Sequence, residues 1–348
     1  MSSDGGIHKD DKGRIVIGDM YLAPESESHG RTELLPNTPT EDARHILGTL
    51  ATSVAAPASD DDRDYLPEPA VSWVVDVRLE GDPQLNPRAV SDAFDKNWRE
   101  TFGGFMAYGR DVNTGYWTYL ISADGPKAVD RLKFEFDYID VLNESSLPPS
   151  EQLYSQRLVK LAERMKRFGT PTVTTELSPA KAAQRSALLR DMKSTLDMSV
   201  VLTLQAPRGK QFDGKKIWDV MLCLGLEWGD MDCFHWRNRS EQGDDSFFSV
   251  ETSSDPGYFL PEEIAAGQLH VDDLIFAYSV PRSAKPIEVF DGMVKAVQYC
   301  QSRLSGKIIA EDGSPAKLAE LRERIENVVE RLRQAGFEPG ESATLQLF

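Results

Sequence analysis

The chain has 348 residues, with 56 acidic and 39 basic side chains and a formal net charge of −17. A negative excess of that size excludes a general DNA or RNA binder, because neutralising phosphates needs a basic face. No stretch reaches the roughly 18–20 apolar residues of a spanning helix, and the opening MSSDGGIHKDDKGR is too polar for a signal peptide.

Residues 1–68 hold 14 acidic and 6 basic side chains, with a DDDRD run at Asp60–Asp64 and few aromatics. That composition predicts an acidic flexible tail. Two apolar patches interrupt it: Ile15–Leu22 reads as a short strand and Ala43–Ala56 as a short helix.

At Val71 the pattern changes. In VSWVVDVRL, Trp73, Val75, Val77 and Leu79 share one face and Asp76 and Arg78 the other, the period of a half-buried strand. Asn86 and Pro87 open a helical stretch with Val90, Phe94, Trp98 and Phe102 at spacings of four, closed by Gly103 and Gly104. FMAYGRD and GYWTYLIS predict a hairpin around Asn113–Gly115. LKFEFDYIDVL is a further strand, Ser150–Phe168 a helix, TPTVTTEL a strand, and SPAKAAQRSALLRDMKSTL a helix.

A similar order returns. SVVLTLQ is a strand, Lys215–Trp228 a helix, MDCFHWR, SFFSVET and LIFAYSV are strands, Ile287–Leu304 is a helix, KIIAED a strand, and SPAKLAELRERIENVVERL a helix. SPAK occurs at Ser178–Lys181 and Ser314–Lys317, and each reads as an N-cap Ser with Pro at the first helical position. The recurrence predicts a tandem duplication. The expected class is α+β: an acidic flexible region 1–68, two split β-α-β domains at 69–197 and 198–340, each a mostly antiparallel sheet with helices on one face, and a tail at 341–348. One face of each sheet is then open, and an open face is either polar or covered by a partner.

Catalytic and metal readings find little support. Asp230, Asp232 and His235 cluster in sequence, but on a strand the two carboxylates share a face and His235 points away. A metal needs three converging donors, so a His bonded to backbone is the better reading. His270 and Asp272–Asp273 read as turn chemistry, and SSDPG at Ser253–Gly257 lacks a nearby base for a nucleophile. No phosphate-binding or dinucleotide glycine motif is present. Catalytic residues, cofactor and metal are each expected to be none. Cys223, Cys233 and Cys300 show no metal or redox spacing and predict buried, reduced thiols, and with the polar N-terminus they predict a cytoplasmic setting. Trp218 and Trp228 read as helix core, whereas Trp236 is the aromatic expected to be exposed.

Several segments of the second half resemble the C-terminal, FtsZ-binding domain of the ZipA family. QFDGKKIWDVMLCLGLEWGDMDCFH (Gln211–His235) carries an amphipathic helix, then GDM, two residues, an aromatic and His. FFSVETSSDPGYF (Phe247–Phe259) carries the family's FS, PG and aromatic spacing, and LIFAYSVPRSAKPIEVFDGMV (Leu274–Val294) its strand, Pro and helix start. The first half shares only the shape, with Gly103, Gly104 and Phe105 where GDM stands and Tyr108–Gly109 where the aromatic–His pair stands. The resemblance implies a non-catalytic cell-division scaffold whose open sheet face takes the C-terminal peptide of a tubulin-like FtsZ or another linear peptide. Carried over, that face comprises Ser199, Val201 and Thr203, then Asp230 and Met231, then Glu251 and Ser253, then Ile275, Ala277 and Ser279. Family members have larger apolar residues where this chain has Ser199, Glu251, Ser253 and Ala277, which removes apolar area from the face. The family's N-terminal membrane anchor is expected to be missing, with no direct membrane insertion and no nucleic-acid partner. A second reading is an assembly module whose sheet faces pair with each other, with a folded partner or in a homo-oligomer.

Overall fold

A computed structural model describes residues 39–50, 64–122, 125–139 and 149–348, with the backbone of three short strands, Ile7–Lys9, Ile15–Ile17 and Met20–Leu22. The patch expected as one strand at Ile15–Leu22 is thus two, paired antiparallel. The chain divides into two compact units. The first is Val54–Asp197 with Arg331–Phe348, the second Met1–Ser53 with Met198–Glu330.

The first unit begins with β1 (Ser72–Leu79), followed by α1 (Pro87–Asp92) and α2 (Lys96–Phe102). The single helix expected here is broken because Asp95 accepts from the Trp98 amide at 2.8 Å and caps a new start. The hairpin is β2 (Met106–Asp111) and β3 (Trp117–Tyr119). Then come β4 (Val129–Asp137), α3 (Glu151–Met165), β5 (Pro171–Thr175) and α4 (Pro179–Leu196). The end of the strand expected through Leu142 lies outside the described residues. Strand order is β3-β2-β4-β1-β5 with antiparallel neighbours. β4 and β5 flank β1, so α3 carries the chain across it in a split β-α-β arrangement. Trp73, Val75, Val77 and Leu79 are buried as their alternation requires, and Trp73 meets Tyr154 of α3 edge-on at 4.8 Å.

The second unit holds β6 (Ser199–Gln205), α5 (Gly214–Leu224), β7 (Glu227–Trp228), β8 (Phe234–Arg237), β9 (Ser246–Glu251), α6 (Pro261–Ala266), β10 (Asp273–Ser279), α7 (Pro286–Leu304), β11 (Lys307–Ala310) and the start of α8 (Leu318–Gln334). Its sheet runs β7-β8-β9-β10-β6-β11. Gly225, at φ 79°, ends α5, so Trp228 stands on an edge strand and not on the helix. Val200, Leu202, Leu204, Phe234, Phe248, Val250, Leu274 and Phe276 are buried between the sheet and the helices. Trp236, expected to be exposed, is only 8% exposed. A Cβ on Gly292 would lie 2.7 Å from its ring, so the glycine in α7 is what lets the helix close over the indole. All three cysteines are buried and unpaired, and burial pushes the Cys233 thiol up to about 11.

Both units are α+β with antiparallel sheets, and both set their first strand between the last two strands of the unit. Beyond that core the order differs. In the first unit the earlier hairpin strand, β2, is inside and β3 is the edge. In the second the later strand, β9, is inside and β8 lies outside it. The second SPAK also departs from the expected cap: Ser314 O accepts from Ala310 N, Pro315 bridges to Ile309, and the helix starts only at Leu318. The first SPAK does cap, with Ser178 Oγ accepting from Lys181 N at 3.4 Å.

The 1–68 region is not tail throughout. In place of the expected Ala43–Ala56 helix stands a single 3-10 turn, Arg44–Ile46, residues 51–56 lying outside the described ones. The segment docks on α5 and α7. Ala43 N donates to Cys223 O at 2.8 Å, Thr40 N and Oγ1 donate to Asp219 at 3.0 and 2.8 Å, and Glu41 accepts from Tyr299 and Arg303. Ala43 and Leu47 are buried. The expected 341–348 tail likewise forms α9 (Ser342–Leu347), where Thr344 and Leu347 are buried.

Candidate functional site

In β6 the even positions Val200, Leu202 and Leu204 pack inward, leaving Ser199, Val201 and Thr203 on the opposite face. The register across the sheet joins them to their neighbours. One row is Val201, Ala277, Ser249 and His235; the next is Thr203, Ile275 and Glu251, with Ile309 of β11 beside Thr203; a third pairs Ser199 with Ser279. Val201, Thr203, Ile275, Ala277 and Ser279 are half-buried, while Ser199 and Glu251 are exposed. The centre of the face is thus Val201, Ile275 and Ala277, and its polar residues stand around them.

Asp230 and Met231 do not lie on a strand. They form a 3-10 turn in which Met231 takes φ 57° and Asp232 φ 55°, and that left-handed backbone throws the Met231 side chain outward, 85% exposed. Asp230 is anchored: its carbonyl accepts from His235 Nε2 at 2.9 Å and its carboxylate from Arg237 Nη1 at 3.1 Å. His235 is bonded to backbone, as read from the sequence, and its other nitrogen, Nδ1, lies 3.3 Å from Ser246 Oγ. Ser253 is not free for a ligand, because its hydroxyl and amide both bond to Asp273, the amide at 2.8 Å. Thr252 Oγ1 donates to the same carboxylate at 3.0 Å, so Asp273 pins the turn after β9.

Three residues of the face escape sequence reasoning. His235 and Ser249 join the Val201 row only through register, and Ile309 joins through the pairing of β11 with β6. At the end of the Val201 row a cavity of about 360 Å³ opens between His235, Ser249, Ser279, Ser283 and the Arg282–Asp244 ion pair. The hydroxyls of Ser279 and Ser283 there are buried without a hydrogen-bond partner. Such a face offers a shallow apolar centre, one protruding thioether and buried, unsatisfied hydroxyls.

Residues 198–341 match the family described as "ZipA, C-terminal FtsZ-binding domain". Among curated proteins, the chain is 28% identical over 165 residues to the cell division protein ZipA of Marinobacter nauticus, covering 44% of this chain and 48% of that one. It is 24% identical over 155 residues to the protein of the same name from Pseudomonas syringae pv. tomato, covering 44% and 53%, and 24% identical over 131 residues to that of Shewanella loihica, covering 38% and 37%. The chain thus spans about half the length, or less, of the curated relatives it matches. These matches overturn the cytoplasmic setting, because the relatives carry the name of the family to which the sequence reading gives an N-terminal membrane anchor. The polar opening residues behind that expectation lie outside the described ones; among the described residues no helix is long and apolar enough to cross a membrane. Residues 198–341 are thus similar to the ZipA C-terminal, FtsZ-binding domain family.

Proposed function

We propose that the open sheet face of the second unit binds the C-terminal tail of an FtsZ-like protein, or a closely similar amphipathic peptide, and that the chain works as a non-catalytic cell-division scaffold. The observation that carries the reading is the Val201–Ile275–Ala277 centre, an apolar patch on a sheet face of a domain whose family is described by FtsZ binding. An amphipathic peptide would bury this centre and the Met231 side chain at about 25 cal/mol per Å². Its polar groups would meet the exposed Ser199 and Glu251 side chains at the margin of that centre. Ser199, Glu251 and Ala277 supply less apolar area than large side chains would, so affinity in the micromolar range is expected. The acidic chain favours a peptide carrying basic residues. We hold the duplication only for the three-strand centre that the units share, β4-β1-β5 and β10-β6-β11.

The test is a fluorescence-anisotropy titration of the full chain with an FtsZ C-terminal tail peptide. Saturable binding that disappears in Val201→Glu, with the melting temperature unchanged, supports the reading. Absence of binding up to about millimolar peptide removes the ligand and favours the assembly-module reading, in which the polar positions of the face meet a folded partner.

A further inference from the structure

The open face of the first unit carries a row of cations that its internal pairing does not neutralise. Register aligns Thr172, Arg78, Arg131, Arg110 and Trp117 directly across the five strands. Like charges set opposite one another on neighbouring strands repel, and here three guanidiniums are adjacent. Two have partners: Arg78 forks onto Asp82 at 2.7 and 2.8 Å, and Arg110 onto Asp130 at 2.9 and 2.5 Å. The Arg131 side chain, between them, makes no hydrogen bond or ion pair with any described residue, and its Nε is buried without an acceptor. Asp82 and Asp130 feel Arg131 as well as their own partners, and both carboxyls are held below their ordinary range, chiefly by the hydrogen bonds from Arg78 and Arg110. Three positive groups thus share two negative ones, in a chain whose net charge is −17.

The row has an aromatic flank. Trp117 ends it, Lys133 Nζ lies 5.1 Å from the Trp117 ring centroid, and Tyr116, Tyr119 and Met106 are 38%, 37% and 51% exposed. That flank already holds a short acidic–aromatic segment of this chain. Asp64 Oδ1 accepts from Trp117 N at 2.7 Å, Tyr65 N donates to Trp117 O at 2.9 Å, and the Tyr65 ring sits 5.6 Å from that of Tyr119. An Asp followed by Tyr therefore fits the edge of β3, with carboxylate on amide and ring on ring, while Arg131 in the middle of the sheet lacks its carboxylate.

We propose that this face is a second peptide-binding surface, for an acidic linear segment of a partner protein that carries aromatic residues, with Arg131 as the carboxylate anchor. A guanidinium takes a carboxylate in a two-point fork. A peptide is favoured over a nucleic acid because only one charge is unbalanced, which suits a single anchoring carboxylate and not a continuous run of phosphates.

The test uses the full chain and a fluorescein-labelled peptide, Gly-Glu-Asp-Tyr-Glu-Phe-Asp-Gly, against the same peptide with Gln and Asn in place of its acids. Saturable binding of the acidic peptide alone is expected, weakened roughly tenfold in Arg131→Gln and abolished in Arg131→Glu. Both variants should keep the parent melting temperature, and Val201→Glu should bind as the parent does, which separates this surface from the one in the second unit. Equal affinity for the amide peptide, unchanged affinity in Arg131→Gln, no binding by the parent chain, or displacement of the peptide by duplex DNA would each overturn the proposal.

Discussion

Val200 and Val201 are neighbours in sequence and opposites in role. Alternation along β6 buries the first completely and leaves the second on the open face, so Val200→Glu would break the fold while Val201→Glu should break only binding. Met231 is the complementary case. Its side chain contributes almost nothing to the folded unit at 85% exposure, so Met231→Ala should leave stability within about 0.5 kcal/mol yet weaken peptide binding several-fold; calorimetric unfolding beside a titration checks both halves. Gly292 shows how a residue without a side chain decides the position of one with a large one. Gly292→Val would push α7 off the Trp236 ring, and we expect a loss of about 2–3 kcal/mol, read as a lower melting temperature; an unchanged value would show that the helix has room to shift. At this scale the sequence was legible where one strand's alternation suffices, as for Val201 and Thr203. It was not legible for His235, Ser249 and Ile309, whose place on the face depends on pairing between strands far apart in sequence. Trp236 misled because nothing in its own strand signals a glycine on α7.

Among the elements, the docked segment at residues 39–50 was the largest surprise. Its composition is that of a tail, but three polar anchors and the buried Ala43 and Leu47 hold it to α5 and α7. The Glu41 carboxyl is held below its usual range, first by the Tyr299 hydroxyl and then by Arg303. A carboxyl depressed in the docked state favours docking above its ordinary pKa, and that contribution is lost as pH falls through the lowered value. The protection factor of the Ala43 amide, which is bonded to Cys223 O, should therefore fall in acid once the intrinsic exchange rate at each pH is divided out. Glu41→Gln should show the lower protection at neutral pH already, with little dependence on pH; a parent-like, pH-dependent protection factor in that variant would place the anchor elsewhere. The two SPAK sequences teach a related lesson. Identical tetrapeptides cap a helix at Ser178 and form a turn at Ser314, because Pro315 is captured by Ile309 before the helix can begin. Local signals placed most of the longer strands and helices but not α6, β7 or α9, and the inverted order of the hairpin strands in the two sheets is a property of long-range pairing that no local signal carries.

Across the whole molecule, charge shapes how a partner is met. With 56 acidic against 39 basic residues, a tail peptide with basic residues should associate faster at low ionic strength, its on-rate falling as salt rises while its off-rate changes little. Stopped-flow association over a salt series tests this, and a rate indifferent to salt would show that apolar contact alone governs the encounter. The two units offer complementary faces. In the second the open face is a shallow apolar centre; in the first it is a charged row with an aromatic flank. If both proposals hold, two such faces would take two different linear segments, and binding strength would then depend on both.

On the proposed function a peptide lies on the Val201 face of the second unit, and methyl NMR of the full chain, titrated with an FtsZ C-terminal tail peptide, is the decisive measurement. Saturable shifts are expected at the methyls of Val201, Ile275 and Met231, with those of the buried neighbours Val200, Leu202 and Leu204 moving far less. Saturable binding that leaves Val201 and Ile275 unmoved, or a titration that moves no methyl at all, would contradict it.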